Sequence, residues 1–492
     1  MTYQDLVTRL NAYGLALTTM SFDSQTIAPR DGAPYRNELI SFLSGEYFAL
    51  ITSEEAITTL EEAAKSDDQV IAESAKSMLI DLKKDINIPK DEYVAFQQLQ
   101  QDAQISWEKA REEKDYSIFE EDLKKLIQFT KEATAYRNDG LNPYESNLDD
   151  YEAGLRMEHV ESFFSAINEK IVPFIDKVIT AQKPRPDFLS AFVSEDDQKQ
   201  LSTLLMNHLN YSPDFGLLAF SAHPFSSTFS RNDTRITSHI HEKDFTQNIF
   251  SIIHEIGHSM YNHQVNPDYE GHALANNMSY SMHESQSRLL ENMIGRSKAF
   301  WTPLYPKFVE VIPSVLGNVS LDEFIEGINY VKKDFIRIEA DELTYPLHIM
   351  VRYEVEKDLF SENIETDNLN TLYAAYMKKF LGLDIDNDAQ GILQDVHWSG
   401  ASFGYFPTYA LGSAYAAQFM DQMEKDIDVT ALLEKGDLTS IFTWLRENIH
   451  QYSGLIPTQE MIQKVTGHSF NPDYYVNYLL SKYSLLLGIE LD

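Results

Sequence analysis

The chain of 492 residues, 43% hydrophobic and 24% charged, has the composition of a globular protein large enough for one big enzyme or several ordinary domains. Its 40 basic and 76 acidic residues give a formal charge of −36, which disfavours nucleic acid and anionic membrane surfaces as partners. It has no cysteine, which excludes disulfides, thiol nucleophiles and thiolate metal ligands. Because it also shows neither a secretory signal nor the run of roughly 20 apolar residues that spans a membrane, we expect a cytoplasmic protein.

Most of the chain has the pattern of amphipathic helices, with apolar residues three and four positions apart. Clear examples are residues 54–64, 73–83, 117–132 and 159–180, and Pro173 predicts a kink or break in the last of these. Near the starts of other segments, side-chain oxygens that can cap a helix are predicted at Asp187, Asp233 and Ser320.

One stretch near the middle of the chain has a different pattern. Residues 234–241 are β-branched and alternate, which predicts a short strand just before the next helix. We find no linker and no repeat. The sequence therefore predicts a mainly α fold, with a small β-sheet beside one helix and residues 1–492 forming a single domain.

The strongest functional signal is the pentapeptide His254-Glu255-Ile256-Gly257-His258. Residues four apart share one face of a helix, so both imidazoles can bind one cation. Glu255 would then lie beside a water on that cation, where it can act as general base in peptide hydrolysis. The alternative is a buried helix whose histidines only satisfy local hydrogen bonds. The strand before this helix favours a peptidase, which lays its substrate along a sheet edge.

A catalytic zinc needs a third protein ligand. The downstream candidates are His263, Glu270, His272, His283, Glu284 and Glu291. A helix would turn His263 about 140° away from His258. Glu284 lies in a second predicted helix that can fold back beside the first, so we select it as the ligand. Glu291, farther along the same face, is expected to accept a hydrogen bond from a ligand histidine.

Together with the pentapeptide, the run His283-Glu284-Ser285-Gln286-Ser287-Arg288 resembles the signature of the carboxypeptidase Taq family of metallocarboxypeptidases. Other segments match family elements in the same order over nearly the whole chain: residues 23–36, His-Pro-Phe at 223–225, Asp-x-Arg-x-Thr at 233–237, a helical block at 336–356, and 394–409. The resemblance implies a largely helical metallopeptidase that is cytoplasmic and homodimeric. It also implies that the enzyme removes single residues from the C-terminus of peptides.

The chain departs from the family pattern in two places. Residues 273–282 replace the small residues and glutamate that commonly precede the second signature. The run Tyr261-Asn262-His263 replaces a sequence of the Tyr-Glu-Gln type. Neither change touches the three ligands, so both bear on the shape of the pocket and on the contacts around the ligands rather than on the reaction class.

Peptide hydrolysis also needs a hydrogen-bond donor for the developing oxyanion. Resemblance to related helical peptidases implies Tyr409 in this role, with His397 as the next candidate and Tyr405 as a substrate contact. These residues lie in an aromatic segment with Gly and Pro that does not have the pattern of a helix face. Simple packing in the core is the alternative for Tyr409.

A C-terminal exopeptidase must bind a carboxylate, which the planar fork of arginine suits. Arg337 is preferred, with Arg352 in the same helical block and Arg235 in the strand as the alternatives. Each of them could instead be a scaffold residue that pairs with a carboxylate, and the candidate partners are Glu339, Glu356 and Asp233.

Two other functions stay open. One is an oligoendopeptidase or dipeptidyl carboxypeptidase on a related helical scaffold, and the other is a non-catalytic helical interaction protein, which has no physical need for Glu255. We predict one divalent metal per chain; two histidines and one glutamate suit zinc first, and cobalt or manganese also fit. The predicted partners are a peptide with a free C-terminus and a second copy of the chain.

Overall fold

The fold is built mainly of α-helices, and the computed structural model describes residues 1–361 and 368–491. The helices before residue 210 are α1 (Tyr3–Thr26), α2 (Ala33–Ile51), α3 (Glu54–Ala63), α4 (Gln69–Asp85), α5 (Lys90–Glu113), α6 (Glu120–Arg137), α7 (Pro143–Tyr151), α8 (Met157–Ala166), α9 (Val172–Ala181) and α10 (Glu195–His208). The later ones are α11 (Phe245–His263), α12 (Tyr280–Arg288), α13 (Lys298–Trp301), α14 (Tyr305–Val311), α15 (Pro313–Leu316), α16 (Leu321–Ile328), α17 (Tyr345–Leu359), α18 (Leu369–Leu381), α19 (Pro407–Asp426), α20 (Val429–Glu434), α21 (Leu438–Asn448), α22 (Thr458–Thr466) and α23 (Asp473–Leu487).

The predicted helices are present, with shifted ends. Residues 54–64 and 73–83 correspond to α3 and α4, and the helix predicted at 117–132 is α6, which begins after a 3-10 turn at Tyr116–Ile118. The helix predicted at 159–180 is interrupted as expected, because a π-helical segment, Ile167–Ile171, separates α8 from α9. Pro173 is in the first turn of α9. It has no N–H to donate to the preceding turn, and the hydrogen-bond ladder widens there.

One of the three predicted caps is confirmed and two are wrong. Ser320 caps α16 in a capping box, in which its hydroxyl accepts from the backbone N–H of Glu323. Asp187 opens a 3-10 helix that is preceded by Pro186, and no side chain caps it. Asp233 begins a strand, and its carboxylate binds Arg235. A short polar side chain satisfies turns and strand ends as readily as helix starts, so its presence alone does not identify a cap.

The sheet has three strands: β1 (Gly216–Phe220), β2 (Ser226–Ser230) and β3 (Asp233–Ser238). β3 lies in the centre, parallel to β1 and antiparallel to β2. The strand predicted at 234–241 is therefore confirmed over its first part, and the chain leaves it at Ser238 to enter α11. This order makes β2 an edge strand, and β2 and β3 both pack against α11.

The interior holds two main apolar clusters. The larger one gathers residues between Ala103 and Tyr483, and α11 contributes most of its length to it through side chains such as Ile249, Ile253 and Ile256. A smaller cluster joins α1, α2, α3 and α4 around Leu6 and Leu60. Among the helices described, none has the length and apolar content needed to cross a membrane.

The backbones of α11 and α12 approach closely at Gly257, inside the pentapeptide. A methyl group at this position would lie 2.6 Å from Cα of Ser287 and 2.7 Å from the carbonyl oxygen of Gln286. Both are backbone atoms, which cannot rotate away as a side chain can. The residue directly before His258 therefore has to be glycine for the two helices to meet at this distance.

We predict that Gly257→Ala lowers the thermal unfolding midpoint of the metal-free protein, because the added methyl group pushes two backbones apart at a cost of typically 1–3 kcal/mol. Gly14→Ala is the matched control: this glycine is inside α1 and has open space around it. The control should be neutral or stabilising by about 0.5–1 kcal/mol, since alanine favours helix. Equal midpoints for the two variants would contradict the close approach of α11 and α12.

Candidate metal centre and active site

α11 and α12 bring His254, His258 and Glu284 together on one wall of a cleft. The Oε2 atom of Glu284 lies 3.6 Å from Nε2 of His254 and 3.4 Å from Nε2 of His258. Ligand atoms held about 2.0–2.1 Å from a tetrahedral zinc stand roughly 3.4 Å apart, so the spacing fits such an ion. In the part of the chain that the structure describes, no other three histidine or acidic side chains converge in this way.

The remaining oxygen of Glu284 is held by a cation from its own helix. Nε of Arg288 donates to Oε1 of Glu284 at 2.6 Å, and Nη1 of Arg288 donates to Glu291 at 3.2 Å. Glu291 also meets Nδ1 of His254 at 3.0 Å, which is the contact expected for it. With Nδ1 bound to this carboxylate, Nε2 of His254 presents its lone pair to the centre of the triad.

Burial and local charges set the protonation of these acids. Burial alone would raise the pKa of Glu284, but the charges of Arg288 and His254 outweigh it and hold that pKa well below its usual range. The same balance lowers the pKa of Glu291 to about 2. Glu255 lacks such a cation, and burial raises its pKa. Glu284 therefore stays ionised, while Glu255 is the carboxylate with the greater affinity for a proton.

A third helix, α19, packs directly against the side chain of Glu284. A methyl group at Gly412 would lie 2.7 Å from both Cβ and Cγ of Glu284. Glycine at this position therefore allows α19 to pack directly on the side chain of Glu284. Neither Gly412 nor Arg288 was assigned a role from sequence. The sequence does indicate the role of Arg288, because an acid and an arginine four residues apart on a helix can form an ion pair. No sequence pattern indicates the role of Gly412.

The other candidate ligands are engaged elsewhere. Nδ1 of His263 meets the carbonyl of Arg231 at 2.7 Å, and its ring stacks on Phe215. Glu270 accepts from the backbone N–H of Arg231, and His272 stacks on Tyr3. His283 lies next to His258, but both of its ring nitrogens are in hydrogen bonds to protein groups.

Tyr405 and Tyr409 line the same cleft as His254, His258 and Glu284. Tyr409 is in the first turn of α19, and its ring packs edge-on against that of Tyr405 at 5.1 Å. His397 is not among the lining residues; its Nε2 lies 3.3 Å from the hydroxyl of Tyr409. Burial lowers the pKa of His397 to about 4, so its imidazole is neutral near pH 7. His397 therefore contacts Tyr409 from outside the lining of the cleft.

Of the three candidate arginines, only Arg337 lines the cleft. It lies in a 3-10 turn, Arg337–Glu339, and not in the helix that its sequence block predicted. Arg352 is in α17 as expected but is fully buried, which excludes direct contact with a substrate. Arg235 pairs with Asp233 and covers the ring of Phe229 at 3.9 Å, outside the cleft.

Arg337 and Arg352 share one acidic partner, Asp395. Nη2 of Arg337 binds Oδ1 at 2.8 Å, and Nε of Arg352 binds Oδ2 at 2.7 Å. Asp395 thus replaces Glu339 and Glu356, the partners suggested by sequence proximity. Glu356 is instead bound by Trp398 and Tyr144. Two guanidinium groups on one carboxylate leave a net positive charge, and Arg337 presents it to the cleft.

The similarity of this chain to known proteins agrees with a metallopeptidase site. The chain matches the family model of carboxypeptidase Taq (M32) metallopeptidases over residues 2–483. It is 40% identical over 491 residues to carboxypeptidase 1 of Bacillus subtilis, covering 98% of this chain and 97% of that protein. It is 32% identical over 488 residues to thermostable carboxypeptidase 1 of Pyrococcus furiosus, covering 96% of each.

Solved structures share the whole fold. The M32 carboxypeptidase of Deinococcus radiodurans superposes with a TM-score of 0.95 at 29% identity, over 99% of this chain and 98% of that one. Metallocarboxypeptidase 1 of Trypanosoma cruzi gives 0.91 at 32% identity, over 97% and 98%. With the family model covering nearly all of its length, this chain belongs to the carboxypeptidase Taq (M32) family of metallopeptidases.

Proposed function

We propose that this metallocarboxypeptidase holds one zinc ion between His254, His258 and Glu284 and releases single amino acids from the C-terminus of peptides. The observation that carries the proposal is the pairing, in one cleft, of this triad with the positive charge that Arg337 presents. When bound, the metal would supply Lewis acidity, which would polarise a peptide carbonyl and lower the pKa of water so that deprotonated water is available for attack near neutral pH.

In this mechanism Glu255 moves the proton. Its carboxylate takes a proton from the attacking water and returns it to the nitrogen of the leaving amino acid. The raised pKa of Glu255, caused by burial, suits a group that must hold the proton between the two steps. Tyr409 donates a hydrogen bond to the oxygen that becomes negative, with His397 and Tyr405 packed around its ring.

Arg337 recognises the C-terminal end of the substrate peptide. It lies over the ring of Tyr409, 5.0 Å from its centroid, so a carboxylate bound to it is close to the reacting carbonyl. Such a carboxylate would also balance the net positive charge that Arg337, Arg352 and Asp395 leave at the cleft wall. An oligoendopeptidase does not require a cation at the position of Arg337, because an internal peptide bond carries no charge that could pair with it.

We also propose that residues 1–492 act as one domain, in the cytoplasm, as a homodimer. Support for the dimer comes from α2, where Tyr35, Leu39 and Phe42 are 69%, 39% and 63% exposed. Their spacing of four and three residues puts them on one face of the helix. An exposed apolar stripe of this kind is typical of a protein–protein contact surface. Sedimentation velocity measures the state of the protein in solution.

We expect Glu284→Gln to lose most of its bound metal, because an amide oxygen carries no charge with which to hold a divalent ion between two imidazoles. Glu270→Gln is the control, since Glu270 was a candidate from sequence but lies away from the triad. Metal analysis of both purified variants decides the assignment. Full metal content in Glu284→Gln would remove this residue from the ligand set.

Glu255→Gln should keep the fold and the metal and lose hydrolysis by roughly 10²–10⁴-fold, the range typical of a general base. The amide has the same size but cannot accept the proton of water. Release of amino acid from a model peptide, measured beside metal content, tests this expectation. Near-normal turnover with full metal content would contradict the assigned role of Glu255.

A peptide with a free C-terminus should be shortened one residue at a time, and its amidated twin should react roughly tenfold more slowly or worse. The amide loses a charge-assisted contact with Arg337 that is worth about 1.5–3 kcal/mol. Arg337→Lys should narrow this ratio because lysine lacks the planar fork. Arg235→Lys, in which the replaced arginine also pairs with an aspartate but lies outside the cleft, should leave it unchanged.

Mass spectrometry over time follows both peptides. A wild-type ratio that persists in Arg337→Lys would show that another group binds the carboxylate. Cleavage of both peptides at internal bonds, with equal rates, would replace the carboxypeptidase by the oligoendopeptidase alternative.

A further inference from the structure

The two histidines of the pentapeptide have different outer partners. Nδ1 of His254 meets the carboxylate of Glu291, which can only accept a hydrogen bond when it is ionised. The proton of His254 is therefore fixed on Nδ1. Nδ1 of His258 instead meets Nδ1 of a second imidazole, His283. A neutral imidazole can donate or accept, so this contact alone does not decide which nitrogen of His258 carries the proton.

The tautomer of His283 follows from the orientation of the next side chain, Asn262. Nε2 of His283 lies 3.3 Å from the side-chain oxygen of Asn262, and the amide nitrogen of Asn262 donates to the hydroxyl of Thr228 at 2.7 Å. In this orientation of the Asn262 amide, Oδ1 faces His283 and can only accept, so Nε2 of His283 carries the hydrogen. Its Nδ1 then has a lone pair and accepts the Nδ1 hydrogen of His258, which leaves Nε2 of His258 bare.

The reverse arrangement has the opposite effect. If the amide of Asn262 turned over, its nitrogen would donate to Nε2 of His283, and His283 would donate from Nδ1 to His258. The proton of His258 would then be on Nε2, the nitrogen that faces Glu284 and the centre of the triad. A protonated nitrogen cannot bind a metal ion.

We infer that His283, Asn262 and Thr228 form a hydrogen-bonded relay that keeps Nε2 of His258 free for the metal, and that His283 and Asn262 are positioning residues of this site. The inference rests on the proposed function, in which His258 is a ligand. It also explains why His283, although adjacent to the triad, is not itself a ligand, because both of its nitrogens belong to the relay.

The relay joins three elements of the fold. Thr228 is in the edge strand β2, Asn262 is in α11 and His283 is in α12. Asn262 is buried, so water cannot easily replace its contacts. At this position the chain departs from the Tyr-Glu-Gln type of sequence. The partner of His283 is therefore a neutral amide, whose orientation matters in a way that the symmetric oxygens of a carboxylate would not.

Two substitutions of Asn262 separate the relay from simple packing. Asn262→Leu has similar size but removes the acceptor, so His283 can adopt either tautomer, and zinc affinity should fall by about 10–100-fold, the usual effect of losing an outer partner of a metal ligand. Asn262→Asp keeps an acceptor toward His283, and the Thr228 hydroxyl can turn to donate to it. Its zinc affinity should equal or exceed that of the wild type.

The measurement is the dissociation constant of Zn²⁺, obtained with the metal-free full chain in competition with a chromophoric chelator. The thermal midpoint of each metal-free variant is recorded beside it. Asn248→Leu is the matched control: Asn248 is another buried asparagine of α11, bonded to Ser238 and Ser202 away from the metal. This control should lower the midpoint and leave zinc affinity unchanged.

Glu284→Gln supplies the reference for the site itself. If it fails to weaken zinc binding, the proposed metal site is wrong. If it weakens binding while Asn262→Leu binds zinc as the wild type does, the site stands and the relay is overturned. Equal losses in Asn262→Leu and Asn262→Asp also overturn the relay, since only one of them removes the acceptor. Should Asn262→Leu not fold, Thr228→Val is measured instead; a severalfold loss is expected, and wild-type affinity overturns the relay.

Discussion

The buried carboxylate of Glu284 is the group on which the site depends. A charge removed from water is tolerated only when other groups replace its hydration. Arg288 binds one oxygen at 2.6 Å, and the two imidazoles of the pentapeptide face the other at 3.4 and 3.6 Å. The backbones must be close for this to happen, and Gly257 and Gly412 let α12 lie against α11 on one side and α19 on the other.

A second buried charge cluster lies beside the same cleft and carries a net positive charge. Asp395 carries one negative charge between Arg337 and Arg352, and both arginines hold its pKa well below the usual range. Arg352 never reaches the cleft, yet it fixes the carboxylate that in turn fixes Arg337. Glu284 and Glu291 thus each have a cationic partner, whereas Arg337 and Arg352 share a single carboxylate. Under the proposed function, the substrate carboxylate supplies the missing negative charge.

Local sequence was a good guide where the interaction is local. The pentapeptide sets two imidazoles on one face of α11 because a helix repeats every 3.6 residues, and the capping box at Ser320 is likewise a contact within four residues. Helix ends were less predictable, as at α6, because 3-10 turns and frayed ends follow from tertiary packing. The caps predicted at Asp187 and Asp233 were wrong because the same side chains serve turns and strand ends.

The sequence by itself determined the helical class, the two histidines with Glu255 beside them, and, through the order of its motifs, the family. The sequence also selected Glu284 and Glu291 as the acids beside these histidines, whereas only the tertiary structure decided which groups meet around the arginines. Nothing in the spacing of Arg337, Arg352 and Asp395 indicates that one carboxylate serves both arginines, that one arginine is buried while the other faces the cleft, or that Arg235 belongs to neither. The physical reason is that a buried charge takes whichever partner the fold brings within about 3 Å, and separation along the chain places no limit on that choice.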